Sequence, residues 1–150
     1  SPEFHPRKTN CRKTYEYRIR HDAFPMPTER LYTHWVHTAL DVDKMREAAA
    51  YLVGEHDFKS FCSVHTQAET TIRTIYQLEV EETGAEIRIR VCGNGFLYNM
   101  VRIIAGTLLD IGQGRRDPMD IFTILEAKDR SAAGPTAPAH GLTLVKYEFL

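Results

Sequence analysis

The sequence predicts an α+β fold, with a mainly antiparallel sheet and helices packed on one face of it. Segments with alternating apolar and polar residues recur along the chain, and two of them are joined by a turn too short for a parallel connection. Other apolar segments have helical spacing and are long enough to cross a sheet face. With 150 residues, 43% hydrophobic and 26% charged, the chain has the composition of a globular domain.

The first third of the chain is predicted to hold one strand, one loop and one helix. Residues 14–20 alternate as a half-buried strand does, and residues 22–30 contain two prolines and are predicted to form a loop. The aromatic residues 31–37 indicate a short strand or an extended segment. Asp41 is the predicted N-cap of a helix that ends at Gly54.

The middle of the chain is predicted to form a β-hairpin. Residues 55–70 are polar and irregular, whereas residues 72–82 and 85–92 alternate as strands do. The turn between these strands is predicted at Glu82-Thr83-Gly84. The two strands are therefore expected to pair with each other in the sheet.

Two helices and a last strand are predicted after the hairpin. Residues 96–111 are apolar on nearly all sides, which indicates a helix that is buried on nearly all sides and ends at the glycines that follow. Pro118 fits the first turn of a further helix that runs to about Lys128. The remaining predicted elements are a loop and a strand, at residues 131–140 and 142–149.

Arg102 is the one basic residue in the predicted buried helix, and a buried guanidinium needs an anionic partner. The nearest following acid on the helix, Asp110, is more than two turns away. Arg102 either pairs with a structural acid or lies at an edge where its head reaches water. Alternatively, it orients a catalytic carboxylate or holds a substrate phosphate. The residues alone leave these interpretations open.

The segment 129–142 consists mainly of alanine, glycine and other small residues, with two prolines. Such a composition indicates a stiff, close-packed connection whose backbone comes near another group. It is either a tight turn into the last strand or the floor of a pocket.

Several classes of function are not indicated. The sequence has no G-x-S-x-G, P-loop, dinucleotide-binding or C-x-x-C motif. Of its seven histidines only His34 and His37 are close neighbours, so no metal site is predicted. Three separated cysteines, Cys11, Cys62 and Cys92, fit a reducing cytoplasm better than a disulfide framework. No segment approaches the length of a membrane span.

Basic residues cluster near the start of the chain, although its formal net charge is -1. Residues 1–20 contain six Lys or Arg and two Glu, a local balance of +4. A basic face on a neutral protein can guide RNA, but a solvated strand with its leader is the simpler interpretation of these charges. Residues 1–4 are typical of an expression-vector scar, so the domain is expected to occupy residues 5–150.

Five segments, taken together and in this order, resemble the bacterial tRNA pseudouridine synthase A family. They extend from Lys13 to Val145 and read KTYEYRI, LVGEHDFKSF, RTIYQLEV, NGFLYNMVRIIAGTLLDIGQG and EAKDRSAAGPTAPAHGLTLV. The last two are specific to the family. The resemblance implies the C-terminal half of the pseudouridine synthase fold, in which two similar α+β halves surround a central sheet and an active-site cleft lies between them.

The resemblance also implies an activity. The family breaks the C1′–N1 bond of a uridine, turns the base and rejoins it through C5, in the tRNA anticodon stem-loop at positions 38 to 40. It uses no metal or organic cofactor. The base must leave the stack to be reached, so a flipped nucleotide in a pocket is expected. A tRNA partner, a homodimer, a cytoplasmic location and no membrane association follow from the same resemblance.

Three residues match active-site positions of the family. Tyr15 resembles the tyrosine that stacks on the target base, Arg102 the arginine that pairs with the catalytic aspartate, and Leu142 the apolar residue that packs against the uracil ring. The family's aspartate stands in an R-T-D-x-G-V-H motif of the N-terminal half, and none of the aspartates here has that context. The chain alone is therefore expected to be inactive, although its parent protein is expected to be an enzyme.

Two other classes of function stay open on the sequence. One is a non-catalytic RNA-binding α+β module, which the full-length gene would distinguish by the absence of the aspartate motif. The other is a small-molecule α+β enzyme that requires oligomerisation, for which tRNA would not change the melting temperature. An unfinished central sheet also predicts a free strand edge that pairs with a neighbouring copy.

Overall fold

A computed structural model describes residues 11–20, 34–36, 39–63 and 69–149. In these ranges the chain forms six strands and three α-helices. Their bounds are β1 Cys11–Arg20, β2 His34–Trp35, α1 Val42–Leu52, β3 Gly54–Asp57, β4 Ile72–Thr83, β5 Glu86–Gly93, α2 Met100–Gly112, α3 Asp120–Ala127 and β6 Leu142–Phe149. The expected scar at residues 1–4 and the predicted loop at residues 22–30 lie outside the described residues.

The six strands form one sheet. Its order is β2-β1-β5-β4-β3, and β6 pairs with β1 on the edge that β1 also shares with β2. Among the described strands, only the short β1–β2 pairing is parallel. The predicted hairpin is confirmed, with Thr83 opposite Glu86 and a turn at Gly84 and Ala85, slightly later than predicted. Gly84 has a φ of 60°, which suits glycine at this position of a tight hairpin.

The α+β fold class is confirmed, because one face of the sheet is apolar and packs against the helices. Alternating residues of the central strands, such as Tyr17 and Ile89, are fully buried, while α1 packs on β4 and α2 on β1. The opposite face is charged. There the guanidinium of Arg18 forms two hydrogen bonds with the Glu86 carboxylate, so part of the basic charge near the start of the chain is already compensated.

Helix α1 begins as predicted and is followed by a strand that the sequence did not indicate. The Asp41 side chain accepts a hydrogen bond from the Lys44 amide at 3.2 Å, so the predicted N-cap is confirmed. The helix ends at Leu52, and Gly54 begins β3 instead of ending the helix. Residues 55–57, the start of the segment predicted to be irregular, therefore form part of β3, and the prediction is wrong for them. Strand β3 pairs along the sheet edge with mostly polar residues, so no hydrophobic alternation marks it.

Helix α2 is buried on nearly all sides, as predicted, because all its residues except Arg102 and Asp110 are buried. It begins at Met100 and not at residue 96, since Asn99 has a φ of 63°, in the left-handed region. Helix α3 begins two residues after Pro118. The Asp120 amide there donates to the Asp117 carbonyl, three residues back, which gives a tight turn before the α-helix.

The described residues contain no helix that is long and apolar enough to cross a membrane. Cys62 and Cys92 are both buried free thiols. Burial raises the pKa of the Cys62 thiol, which makes it less reactive at neutral pH.

Candidate active site

A cleft of about 410 Å³ opens where the N-terminal end of α2 meets β1 and β6. Aromatic and aliphatic side chains form most of its wall. The lining residues are Tyr15, Phe96, Leu97, Tyr98, Asn99, Met100, Val101, Arg102, Ala139 and Leu142. The three residues that the sequence singled out, Tyr15, Arg102 and Leu142, thus come from three separate elements and meet around one cleft. Among the described residues of this lining, Arg102 is the only charged one.

Tyr15 is held at the cleft by its strand and by an aromatic neighbour. It lies on the same face of β1 as the buried Tyr17, and its ring meets that of Phe96 edge-on, with centroids 5.3 Å apart. The Phe96 ring also packs against the backbone of Gly93, which is possible because Gly93 has no side chain. A Cβ on Gly93 would lie 3.1 Å from the Phe96 ring and 2.8 Å from the Thr74 carbonyl oxygen.

Arg102 lies in the first turn of α2 and is half-buried. Its Nε donates to the Ala137 carbonyl at 2.8 Å, and its Nη1 donates to Asn99 Oδ1 at 3.1 Å. No acid among the described residues forms an ion pair with it. Asp110 instead accepts from Arg116 at 3.3 Å. A structural acid as the partner of Arg102 therefore has no support in the described part of the chain.

The loop between α3 and β6 packs directly on α2. A Cβ on Gly106 would lie 1.7 Å from the Pro135 carbonyl oxygen, so only glycine permits this approach. The hydroxyl of Thr107 accepts a hydrogen bond from the Gly134 amide at 2.9 Å. The loop then lines the cleft through Ala139. Both interpretations of this segment hold, because it is a close-packed connection and also part of the cleft wall.

Two further arginines fix the same loop through its carbonyl groups. Arg116 Nη1 donates to the Ala132 carbonyl at 2.7 Å, and Arg130 Nη1 donates to the Gly134 carbonyl at 2.8 Å. These charge-assisted hydrogen bonds satisfy backbone acceptors that no regular element binds. No pattern in the sequence indicates this role, because Arg116 reaches the loop only in the folded chain and Arg130, which belongs to the loop, binds it through the folded loop conformation.

Tyr17 anchors the end of the loop next to Leu142. Its hydroxyl donates to the Pro138 carbonyl at 2.7 Å, and a Cβ on Gly141 would lie 2.7 Å from the Tyr17 ring. Burial raises the pKa of the Tyr17 phenol well above its ordinary value, and the positive charge of Arg102 acts in the opposite sense. Tyr17 therefore stays protonated and serves as a hydrogen-bond donor at neutral pH.

His34 and His140 lie beside Tyr17 at the edge of the same loop. The His34 ring is 6.3 Å from the Tyr17 ring and 6.0 Å from the His140 ring, measured between centroids. Burial and the neighbouring His140 lower the pKa of His34. The described residues include no group of three or more His, Cys, Asp or Glu side chains that could hold a metal ion.

Residues 48–149 match the family model described as tRNA pseudouridine synthase, which covers more than half of the chain. The chain belongs to the tRNA pseudouridine synthase family. Similar proteins support this assignment. The tRNA pseudouridine synthase A of Bacillus licheniformis is 50% identical over 142 residues, which are 95% of this chain and 58% of that protein. The resemblance found in the sequence is thus confirmed.

Other relatives give the same result. The tRNA pseudouridine synthase A of Bacillus subtilis is 49% identical over 141 residues, which are 94% of this chain and 57% of that protein. That of Geobacillus kaustophilus is 49% identical over 148 residues, 97% of this chain and 57% of that protein. The chain therefore spans less than three-fifths of the length of these relatives.

In this member of the pseudouridine synthase family, two residues that the sequence analysis passed over also line the cleft. Tyr98 is 69% exposed, and Asn99 binds Arg102 from a left-handed backbone conformation. Their only signal in the sequence is that they interrupt the apolar segment with two polar side chains. Non-glycine residues in strained backbone conformations cluster at functional sites, and they persist only where the surrounding structure holds them in place.

The cleft has the chemistry of a site for a flat, neutral ring beside an anion. Its described walls are mostly aromatic and aliphatic, which suits a planar base. The one charged group that the described part of the chain supplies to them is a guanidinium, which binds carboxylates and phosphates. The described residues place no carboxylate in this lining. By themselves these residues can bind and orient a nucleotide, but they offer no carboxylate nucleophile or base.

Proposed function

We propose that this chain forms the nucleotide-binding side of the active site of a tRNA pseudouridine synthase. The reaction is the isomerisation of uridine to pseudouridine in the tRNA anticodon stem-loop, at positions 38 to 40. The observation that supports it is the meeting of Tyr15, Arg102 and Leu142 around one cleft. The family assignment supports it independently, because it rests on residues 48–149 and not on the cleft.

In this proposal Tyr15 and Leu142 hold the uracil ring. A uridine that leaves the stack loses its contacts with neighbouring bases, and an aromatic ring and an aliphatic side chain replace them. Tyr15 is kept in place by Phe96, and Leu142 follows the loop that Tyr17 anchors. Both walls are therefore positioned before the nucleotide arrives, which reduces the entropy lost on binding.

Arg102 binds the catalytic carboxylate in this proposal. Two of its five N–H donors are used by Ala137 and Asn99, which fixes the plane of the guanidinium and leaves donors for an anion. The carboxylate that acts at C1′ or as a base would come from the part of the relatives' length that this chain does not span. The chain alone is accordingly proposed to be inactive.

The proposed partners follow from the same assignment. The substrate is tRNA, the assembly is a homodimer, the reaction occurs in the cytoplasm and no metal or organic cofactor takes part. The word tRNA in the names of the relatives supports the first of these. The homodimer and the location follow from the resemblance alone.

Release of tritium from tRNA labelled at C5 of uridine tests the proposal. The chain alone should release none. A chimera that joins this chain to the segment of the Bacillus subtilis relative that it does not match should release tritium, and Arg102→Gln in that chimera should abolish the release. Release by the chain alone would contradict the proposed source of the carboxylate. Salt-dependent tRNA binding without any turnover by the chimera would favour an RNA-binding module instead.

A further inference from the structure

Tyr98 differs from every other tyrosine in the described part of the chain. The rings of Tyr15, Tyr76 and Tyr147 contact an aromatic or cationic neighbour, and the hydroxyls of Tyr17 and Tyr51 donate hydrogen bonds. The Tyr98 side chain has no such partner. It is 69% exposed, more than any other large apolar or aromatic side chain there, and it stands at the cleft.

The backbone that carries Tyr98 is nonetheless firmly held. The Tyr98 carbonyl accepts a hydrogen bond from the Ser63 amide at 3.1 Å, and the preceding Leu97 is buried. The following Asn99 is fixed by Arg102 through its side chain. A rigid backbone therefore presents a free phenol ring to solvent at the mouth of the cleft. An aromatic ring in this setting loses little conformational entropy when a partner covers it.

The surroundings of this ring favour a polyanion over an apolar protein surface. Arg102 is the only charged residue among the described residues that line the cleft. A second guanidinium lies beside the segment that leads to Tyr98, since a Cβ on Gly95 would lie 3.7 Å from Arg73 Nε. Arg73 donates only to backbone carbonyl groups, of Thr70 and Ile72, so its charge is not neutralised by these bonds. Aromatic rings in a positively charged setting are a common arrangement for binding a nucleic-acid strand.

We propose that Tyr98 is a stacking platform for the RNA base next to the uridine that occupies the cleft. This inference rests on the proposed function, because it needs a nucleotide in the cleft. Tyr15 then contacts the extruded uracil, and Tyr98 contacts the base next to it. Each of the two bases gains an aromatic contact in place of the stacking that they lose when the uridine is extruded. Stacking does not depend on base identity, which lets the site accept several sequence contexts.

Binding of an anticodon stem-loop RNA, followed by fluorescence anisotropy, tests the energetic part. Tyr98→Ala should weaken binding by about 5-fold or more, the range for removal of one base–aromatic stack. Tyr98→Phe keeps the ring and should stay within about 2-fold of the wild-type chain, since stacking needs no hydroxyl. Phe122→Ala, an exposed aromatic residue of α3 outside the cleft, is the matched control and should leave binding unchanged.

Photochemical cross-linking tests the contact itself. The same RNA with 5-iodouridine next to the target uridine should cross-link to Tyr98 of the wild-type chain on irradiation, as peptide mass spectrometry would locate. The cross-link should persist in Phe122→Ala and disappear in Tyr98→Ala. Melting temperatures of all variants show whether each still folds.

The outcomes separate this inference from the proposed function. If the wild-type chain does not bind the RNA at all, both are overturned. If it binds the RNA and Tyr98→Ala binds equally well, or if the cross-link maps to a residue away from the cleft, the stacking role alone is overturned. Equal losses in Tyr98→Ala and Tyr98→Phe would also overturn it, because they would assign the effect to the hydroxyl.

Discussion

Arg102 and Ala137 bind each other twice. The Nε of Arg102 donates to the Ala137 carbonyl at 2.8 Å, and the Ala137 amide donates to the Arg102 carbonyl at 3.0 Å. The pair joins the first turn of α2 to the loop that leads to Leu142. The side chain proposed to hold the catalytic carboxylate is therefore also the one that fixes the cleft wall, so a change at Arg102 should affect stability as well as binding.

The first prediction concerns this double role. Arg102→Met should lower the free energy of unfolding by about 1–2 kcal/mol, because hydrogen bonds from a charged donor contribute about 1.5–3 kcal/mol when buried and less when half exposed. Arg102→Lys should lose less, since an ammonium can still reach one carbonyl. Urea unfolding of the two variants measures the difference. Equal stability of Arg102→Met and the wild-type chain would contradict a structural contribution from this residue.

The second prediction concerns the contact between α2 and the loop. Gly106→Ala should destabilise the chain by about 3 kcal/mol, because its Cβ would meet the backbone oxygen of Pro135 and either the helix or the loop must move. Gly112→Ala on the same helix is the matched control. Its Cβ would meet the flexible side chain of Met45, so a smaller loss is expected. Thermal and urea unfolding would check the order, and a greater loss at Gly112 would contradict it.

The third prediction isolates one hydrogen bond of that contact. Thr107→Val keeps the shape of the side chain but leaves the buried Gly134 amide without its acceptor. An unsatisfied buried donor costs about 1–3 kcal/mol, and the free energy of unfolding should fall by that amount. Thr107→Ser retains the hydroxyl and should recover most of the loss. A Val variant as stable as the Ser variant would mean that water replaces the threonine oxygen.

Much of this fold could be predicted because periodicity marks it. The hairpin β4–β5, the N-cap Asp41 and the all-round burial of α2 follow from residues that are close in sequence. Strand β3 could not be predicted, because its polar residues pair at an edge and alternate on no apolar face. The start of α2 could not be placed from the sequence, because Asn99 adopts a left-handed conformation that the apolar composition of the segment does not indicate.

The candidate site was predictable to a lesser extent. Tyr15, Arg102 and Leu142 came from motif resemblance, and the fold brings them to one cleft. The loop anchors Arg116 and Arg130 are not predictable, because Arg116 binds a carbonyl group 16 residues away and Arg130 binds one in its own loop, whose irregular conformation is set by packing on α2. Contacts of this kind leave no periodic signal in a single sequence.

The last prediction concerns pH. The pKa of His34 is lowered in the folded chain by burial and by His140, so between that pKa and the ordinary value of about 6.5 the unfolded chain binds more protons. The contribution of His34 to the free energy of unfolding is therefore fully present above about pH 6.5, and it is lost as the pH falls through the pKa of His34 in the folded chain. His34→Gln removes this titration, and its free energy of unfolding should fall less between about pH 7 and pH 5 than that of the wild-type chain. His140→Gln removes the smaller of the two causes that lower the pKa of His34, and should reduce the slope by a smaller amount. Urea unfolding at a series of pH values measures these slopes, and an unchanged slope in His34→Gln would assign the acid sensitivity of the fold to other groups.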